Sequence, residues 1–491
     1  MTLSLLILIP IIGAIVVAFM PRSRPEAIKW AAFTTSLVAL AVSFPLYFAF
    51  IDGLAGYQFE ETYAWIPALN ISYHVGIDGL SLFLVLLTTF LTAVSILSSW
   101  TAITENLKEY MALMLLLEAA VIGVFVALDL FLFYVFWEAS LIPMALLIGR
   151  WGGERRIYAA VKFIIYTMAG SALMLVAALA IYIWGGTSDV PALAASLNLP
   201  ANLQIWLFFA FALAFAVKVP LFPLHTWLPA AHVEAPTAGS IMLAGVLLKL
   251  GTYGFMRFAI PFFPEAVAFW TPLLVTLSVI GILYGALVAL VQEDIKSLVA
   301  YSSVAHMGFI VLGIFSGGQQ GMSGAVLQMV NHGLSTGMLF YMVGVLYEQR
   351  HTRLFREYGG IWVKVPVFGV FFLLAVFSSV GLPGLNGFVG EFVILLGTFR
   401  VNWIAAAFGT FGIVLAAWYL LTAVRRLMFG PFNPANNRLK DMNGREILIA
   451  LSLVIFFFVI GLFPNLLFNK INPATAQLAE LINTVTLLAG Q

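Results

Sequence analysis

Apolar residues run along this chain in long blocks, separated by short clusters of Pro, Gly and charge rather than by polar domains. A helix needs about 20 residues, range about 17–25, to cross the hydrocarbon core of a bilayer. Blocks of that length recur fourteen times, at 3–20, 29–51, 76–100, 109–127, 129–149, 157–184, 203–221, 237–260, 269–291, 299–316, 321–346, 366–400, 403–429 and 446–468. The pattern predicts an all-α polytopic membrane protein with fourteen transmembrane helices. The first block lacks a basic leader and an Ala-x-Ala-like cleavage site, so it reads as a retained span, not a signal peptide. The longest interruptions, 52–75, 185–202 and 347–365, hold no soluble domain, and 473–488 has the spacing of a short interfacial helix.

Two blocks do not fit a plain helix. As one rod, residues 366–400 would extend about 52 Å, against a hydrocarbon core of about 30 Å. The middle reads SVGLPGLNGFVGEF, where Pro383 removes a backbone donor and Gly381, Gly384 and Gly387 loosen the chain. The seventh block similarly runs into VKVPLFPLHTWLP. Helices broken at membrane depth are tolerated only where they are buried in protein or line a wet cavity. Two interrupted spans, five helices apart, also hint at an inverted repeat with ion sites at the breaks. A proline kink used only for packing is the simpler alternative, but an ionisable residue near each break favours function.

Composition supports the membrane assignment. Of 491 residues, 62% are hydrophobic and 9% charged, whereas soluble domains carry about 25% charged residues. A net charge of +1 without a polybasic run gives no reason to expect a nucleic-acid partner. The absence of cysteine excludes disulfides, cysteine-ligated iron–sulfur clusters and thiol catalysis in this chain. Alternating spans place seventeen of the 23 Lys and Arg residues on one side, three (Arg257, Arg400, Lys470) on the other, and three (Lys162, Lys218, Lys249) inside spans. The rich side is expected to be cytoplasmic, with both termini on the non-cytoplasmic side.

The remaining chemistry lies inside the apolar blocks. Lys218 and Lys249 are deep in the seventh and eighth, and a lysine near the bilayer centre costs roughly 2.5–3.5 kcal/mol on insertion scales. Glu118 and Glu138 are mid-span in the fourth and fifth, Glu391 follows the break in the twelfth, and His306 and His332 lie in the tenth and eleventh. Gln328, His332 and Ser335 recur at helical spacing as one polar stripe. Unpaired buried charges are costly, so carboxylates and lysines in one bundle suggest pairing. A pair that opens and closes can exchange a proton, with histidines and water between fixed stations. Lys218, Lys249, Glu138, Glu391, His306 and His332 are therefore the candidate relay, with Glu118, His225 and His232 secondary. His225 and His232 flank a proline-rich turn and could simply bond backbone. Lys162 is close enough to its span end to snorkel, His74 and His351 fall in loops expected to be solvated, and Asp78 is explained by helix capping. No two facing spans offer histidines enough for haem.

The segment AFAVKVPLFPLHTWLPAAHVEAPTAGS, with HVGIDGLSL, FWEASLIPM, LLKLGTYG, QEDIKSLVAYSSVAHMG, NHGLSTGMLF and GLPGLNGFVGEF in order, resembles the antiporter-like subunits of respiratory complex I. The resemblance covers nearly the whole chain. It implies two inverted five-helix repeats with broken seventh and twelfth helices and a hydrated polar axis at the bilayer midplane. The expected organisation is a single membrane domain, 1–491, with N-terminal helices 1–108, a first repeat 109–260, a second 269–429, and a last helix with a short C-terminal segment, 446–491. The resemblance makes Glu138 and Lys218 a carboxylate–lysine pair, Lys249 the central lysine, His306 and His332 bridging groups, and Glu391 the ionisable group of the broken twelfth helix. Glutamate at that last position, and no room after residue 468 for a long lateral helix, resemble the M subtype (chain 4). The implied role is proton translocation in a bacterial inner-membrane NADH–quinone oxidoreductase. No cofactor is expected in this chain, and FMN, iron–sulfur clusters and quinone would belong to other subunits. Homologous antiporter-like membrane subunits on either side, lipids, protons and water are the expected partners. The alternatives are a chain of a sodium/proton antiporter, of a membrane hydrogenase or of a ferredoxin-dependent photosynthetic complex.

Overall fold

The computed structural model describes the backbone of residues 1–489 and the side chains of residues 1–483. The last two residues of the 446–491 segment, and the side chains of 484–488 in the expected interfacial helix, lie outside the described residues. Helices α1 (Thr2–Phe19) and α2 (Pro25–Ala49) precede two strands, β1 (Gln58–Ile66) and β2 (Ile71–Ile77). Then come α3 (Leu82–Ser98), α4 (Leu107–Val126), α5 (Leu130–Trp151), α6 (Arg156–Gly185), the short α7 (Val190–Ser196), α8 (Ala201–Lys218) and α9 (Trp227–Glu234). Residues 237–262 form α10 (Thr237–Met242), α11 (Leu248–Gly254) and α12 (Ile260–Phe262), joined by π-helical turns Leu243–Leu247 and Phe255–Ala259. The chain continues through α13 (Pro264–Leu290), α14 (Ile295–Ile314), α15 (Gln319–Arg350), α16 (Pro366–Val380), α17 (Asn386–Val401), α18 (Trp403–Met428), α19 (Gly444–Leu462) and α20 (Asn465–Ala489). Among the described residues, twelve helices are long and apolar enough to cross a membrane, and Leu82–Ser98 and Pro366–Val380 are shorter apolar helices.

The helices with most polar residues are the central ones. Helix α15 and the 237–262 helix are surrounded by protein along their candidate spans, whereas the strongly apolar α1 and α19 leave much of their surface exposed. This inversion reflects the solvent: lipid tolerates Leu and Ile but not Lys249, Gln328, Asn331 or His332, so the helices carrying them are enclosed.

The segment 52–75, read as an interruption, contains an antiparallel hairpin with Tyr63 opposite Tyr73 and Thr62 opposite His74. Residues 76 and 77 belong to β2, so the third span begins at Leu82 rather than at 76. Alternation in ISYHVGI is too short to separate from the apolar block beyond it.

Both expected breaks are present. Helix α8 stops at Lys218 because Pro220 and Pro223 lack backbone donors, and Trp227 Nε1 donates to the freed Val217 carbonyl at 2.8 Å. Helix α16 ends where Gly381 adopts φ +81°, a left-handed conformation suited to glycine at a helix C-terminus, and α17 resumes at Asn386. The C-terminal helix starts at Asn465, earlier than expected, and packs against α13 and α15. Its Lys470 Nζ donates to the Phe50 carbonyl (3.1 Å) and Asp52 Oδ1 (2.6 Å), and its Thr475 Oγ1 lies 2.7 Å from Ser323 Oγ on α15.

Candidate functional site

The central helix carries Lys249 on the short α11, between two π turns. A π turn widens the helix by one residue and re-aims the side chains beyond it. Here it lets Lys249 Nζ reach back to the Ala244 carbonyl and across to His332 Nδ1 on α15, the latter at 2.8 Å. While Lys249 is charged it can only donate, so in that state His332 accepts at Nδ1 and carries its proton on Nε2.

A second contact continues the line. The His332 and His306 rings are 5.9 Å apart between centroids. His306 Nδ1, on α14, lies 2.8 Å from Glu391 Oε1 on α17. His306 Nε2 faces the Tyr419 hydroxyl of α18 at 3.5 Å, and that hydroxyl lies 2.8 Å from Ser302 Oγ. Gln328 Nε2 also donates to Glu391 Oε1 at 3.1 Å. Lys249, His332, His306 and Glu391 are all buried. Four sequence-predicted residues from four helices thus form one polar line through an apolar bundle. Glu391 also lines a groove of about 630 Å³ between α17 and α18, walled by Phe388, Phe392, Phe399 and Trp403.

The other half is less connected. Lys218, at the C-terminal end of α8, has no protein hydrogen-bond partner at Nζ and sits 5.5 Å from the Trp137 ring and 5.4 Å from the Phe163 ring. Glu138 is within electrostatic reach of it but not in direct ion-pair contact, and Glu138 Oε1 is also without a partner. Glu118 is fully buried on α4 with neither oxygen bonded.

Several expectations need correction. His225 and His232 are not held by backbone bonds: His225 Nδ1 and both His232 nitrogens lack partners, while the rings stack on Phe222 (5.6 Å) and Phe340 (4.4 Å). His74 is not solvated but buried, with Nδ1 2.6 Å from Asp189 Oδ2 and Nε2 3.1 Å from Glu60 Oε2. Hydrogen bonding to Asp189 raises its pKa above the ordinary histidine value, and burial opposes this. Asp78 does accept the Leu80 and Ser81 amides, as a turn-forming aspartate should, but it also binds Arg257 Nη2 at 2.5 Å. Arg257, expected among the few basic residues of the non-cytoplasmic side, is buried, with Tyr253 and Tyr57 hydroxyls accepting from Nε and Nη1 at 2.9 and 3.0 Å. Lys162 lies half-buried between the Tyr158 and Tyr166 rings, at 5.7 and 5.9 Å.

Asn331, Asn386, Tyr419 and Ser302 carry no distinct signal in the sequence, although Asn331 adjoins His332 and is one turn from Gln328. Arg257 carries a signal of its own: one charge in the apolar run FMRFAIPFF, with a lone Asp78 as possible partner. Among the described residues, no group of three or more His, Asp or Glu side chains could hold a metal ion.

Comparison with known proteins places the chain in a family. The transmembrane family described as NADH:quinone oxidoreductase/Mrp antiporter matches residues 127–416. NADH-quinone oxidoreductase subunit M of Rhodobacter capsulatus is 47% identical, over 97% of this chain and 96% of its own. NADH-ubiquinone oxidoreductase chain 4 of Marchantia polymorpha is 44% identical over 97% of each. A chain in the solved structure of respiratory complex I from Thermus thermophilus with bound NADH superposes with a TM-score of 0.90 at 33% identity, covering 98% of this chain and 100% of that one. The Mrp complex from Dietzia sp. shares the fold, with a TM-score of 0.84 at 24% identity over 99% of this chain and 55% of the other. The chain belongs to the NADH:quinone oxidoreductase/Mrp antiporter family, grouped with the proteins named subunit M and chain 4.

Proposed function

We propose that the chain is a proton-translocating membrane subunit of an NADH:quinone oxidoreductase, and that Lys249, His332, His306 and Glu391 carry protons along its core. The observation that carries this reading is the continuity from Lys249 through His332 to the His306–Glu391 pair, entirely within protein. Lys249 hands a proton to His332 Nδ1, and His332 releases one from Nε2, which has no other hydrogen-bond partner, toward His306. His306 works in the opposite sense: it takes up a proton at Nε2 and passes one from Nδ1 to Glu391 Oε1. Lys218, with Glu138 as its electrostatic partner, supplies the other half at the first break, and a redox step elsewhere changes the separation of the two. Moving one charge against 100 mV requires about 2.3 kcal/mol, a scale that forming or breaking a buried charge pair can supply.

In this reading the chain holds no flavin, cluster or quinone site of its own, and those groups sit in partner subunits. It crosses a bacterial inner membrane fourteen times, as two inverted five-helix repeats, 109–260 and 269–429, after N-terminal helices 1–108 and before a last segment 446–491. Both termini face away from the cytoplasm. The test is Lys218→Ala in the assembled complex: proton pumping should be lost and quinone reduction depressed. Retention of both at wild-type rates would refute the relay.

A further inference from the structure

The second break is tied to the proton line by a set of amides that the relay does not itself use. Asn331 Nδ2 on α15 donates to the Asn386 carbonyl at 2.8 Å, and Asn386 Nδ2 reaches the Asn331 carbonyl at 3.5 Å. This reciprocal staple fixes the first residue of α17 to the middle of α15. Asn386 Oδ1 accepts from Ser378 Oγ of α16 at 2.7 Å, so the same side chain spans both sides of the break. Asn331 Nδ2 also donates to Gln328 Oε1 at 3.2 Å, and Gln328 Nε2 donates to Glu391 Oε1 at 3.1 Å. An unbroken series of hydrogen bonds therefore runs from the end of α16 to the carboxylate. Ser378, Asn386, Asn331 and Gln328 are all buried.

Backbone design supports the series. A methyl at Gly390, next to Glu391, would collide with the Gln328 and Asn331 amide ends, and one at Gly324 would lie 2.8 Å from the Ile394 amide nitrogen. Glycine at both places lets α15 and α17 approach closely enough for short amide side chains to reach across. Polar groups this deep are costly unless bonded, and a proline break used only for packing needs no such chain.

We propose that Gln328, Asn331 and Asn386 are positioning residues that hold Glu391 against His306 and couple its geometry to the two halves of the broken helix. Opening of the break would pull Asn386 from Asn331, release Gln328 and leave Glu391 with one bond fewer to its charged form. This inference rests on the relay reading of Glu391.

The test uses the intact complex in native membranes with Gln328→Leu, Gln328→Met and Asn331→Leu, beside Glu391→Gln as reference. Assembly and electron transfer from NADH to an artificial acceptor report folding, and proton pumping is measured per NADH oxidised across a range of pH. Loss of one hydrogen bond to a charged group corresponds to about a tenfold change in the affected equilibrium. Pumping should fall about fivefold or more in at least one assembled Gln328 variant, with its pH profile displaced relative to wild type. If Glu391→Gln abolishes pumping while assembled Gln328 and Asn331 variants keep the wild-type rate and profile, the clamp is overturned and the relay stands. If Glu391→Gln itself pumps normally, the relay reading fails, and the clamp with it.

Discussion

Lys249 Nζ and His332 Nδ1 meet at 2.8 Å at the contact of two enclosed helices, with no carboxylate paired to the lysine among the described residues. In the proposed relay, a lysine bonded to an imidazole and a carbonyl, rather than to a fixed counter-charge, is the group that exchanges a proton. The π turn before Lys249 produces this geometry.

His306 lies between the His332 ring, at 5.9 Å between centroids, and Glu391, which its Nδ1 meets at 2.8 Å. His306→Phe should keep ring volume and assembly while reducing proton pumping by about tenfold or more, the scale on which a positioned proton-transfer group acts. Pumping by the assembled variant, measured against its NADH oxidation, checks this.

Asp78 and Arg257 form a buried ion pair, and removal of one partner from such a pair costs about 3–5 kcal/mol. Asp78→Asn and Arg257→Met should each lower the thermal stability of the complex, and the double substitution should recover a large part of the loss. Thermal unfolding of the three purified variants measures both effects.

His74 ties β2 to Asp189 and Glu60, and its pKa is raised in the fold, first by the bond to Asp189. A raised histidine pKa stabilises fully below the unfolded value of about 6.5, and the contribution is lost as pH rises through the folded pKa. The Asp189 pKa is lowered despite burial, chiefly by the same hydrogen bond. That contribution is present above about pH 3.9 and is lost as acid protonates the group in the fold. The hairpin should therefore be held most firmly between these limits. Amide exchange across residues 58–77 should accelerate as pH rises above neutrality, beyond the intrinsic chemical rate, and His74→Phe should remove that excess.

Gly390 faces the amide ends of Gln328 and Asn331 with no space for a methyl. Gly390→Ala should cost about 1–3 kcal/mol by overpacking. Reduced abundance of the complex in membranes, with residual activity falling in parallel, is the expected outcome.

Much of this site is legible in the sequence because lipid penalises polar residues so heavily. Lys218, Lys249, Glu391, His306 and His332 stand out against apolar runs, and the Pro and Gly clusters mark both breaks. The rest depends on partners distant in sequence. Asp78 reads as a helix cap because Arg257, the group packed against it, is 179 positions away. His74 reads as a loop residue because a short strand beside an apolar block has no distinct period. The π turns leave no composition signal, yet they aim Lys249. Asn331 and Asn386 are ordinary amides until the break brings them together.

The most direct test of the relay is proton translocation per NADH oxidised by the reconstituted complex carrying Lys249→Met. The account predicts an assembled complex whose peripheral NADH oxidation persists while proton translocation falls at least about tenfold, as expected when a proton-transfer station is removed. A Lys249→Met complex that assembles, reduces quinone and pumps at the wild-type ratio would contradict it.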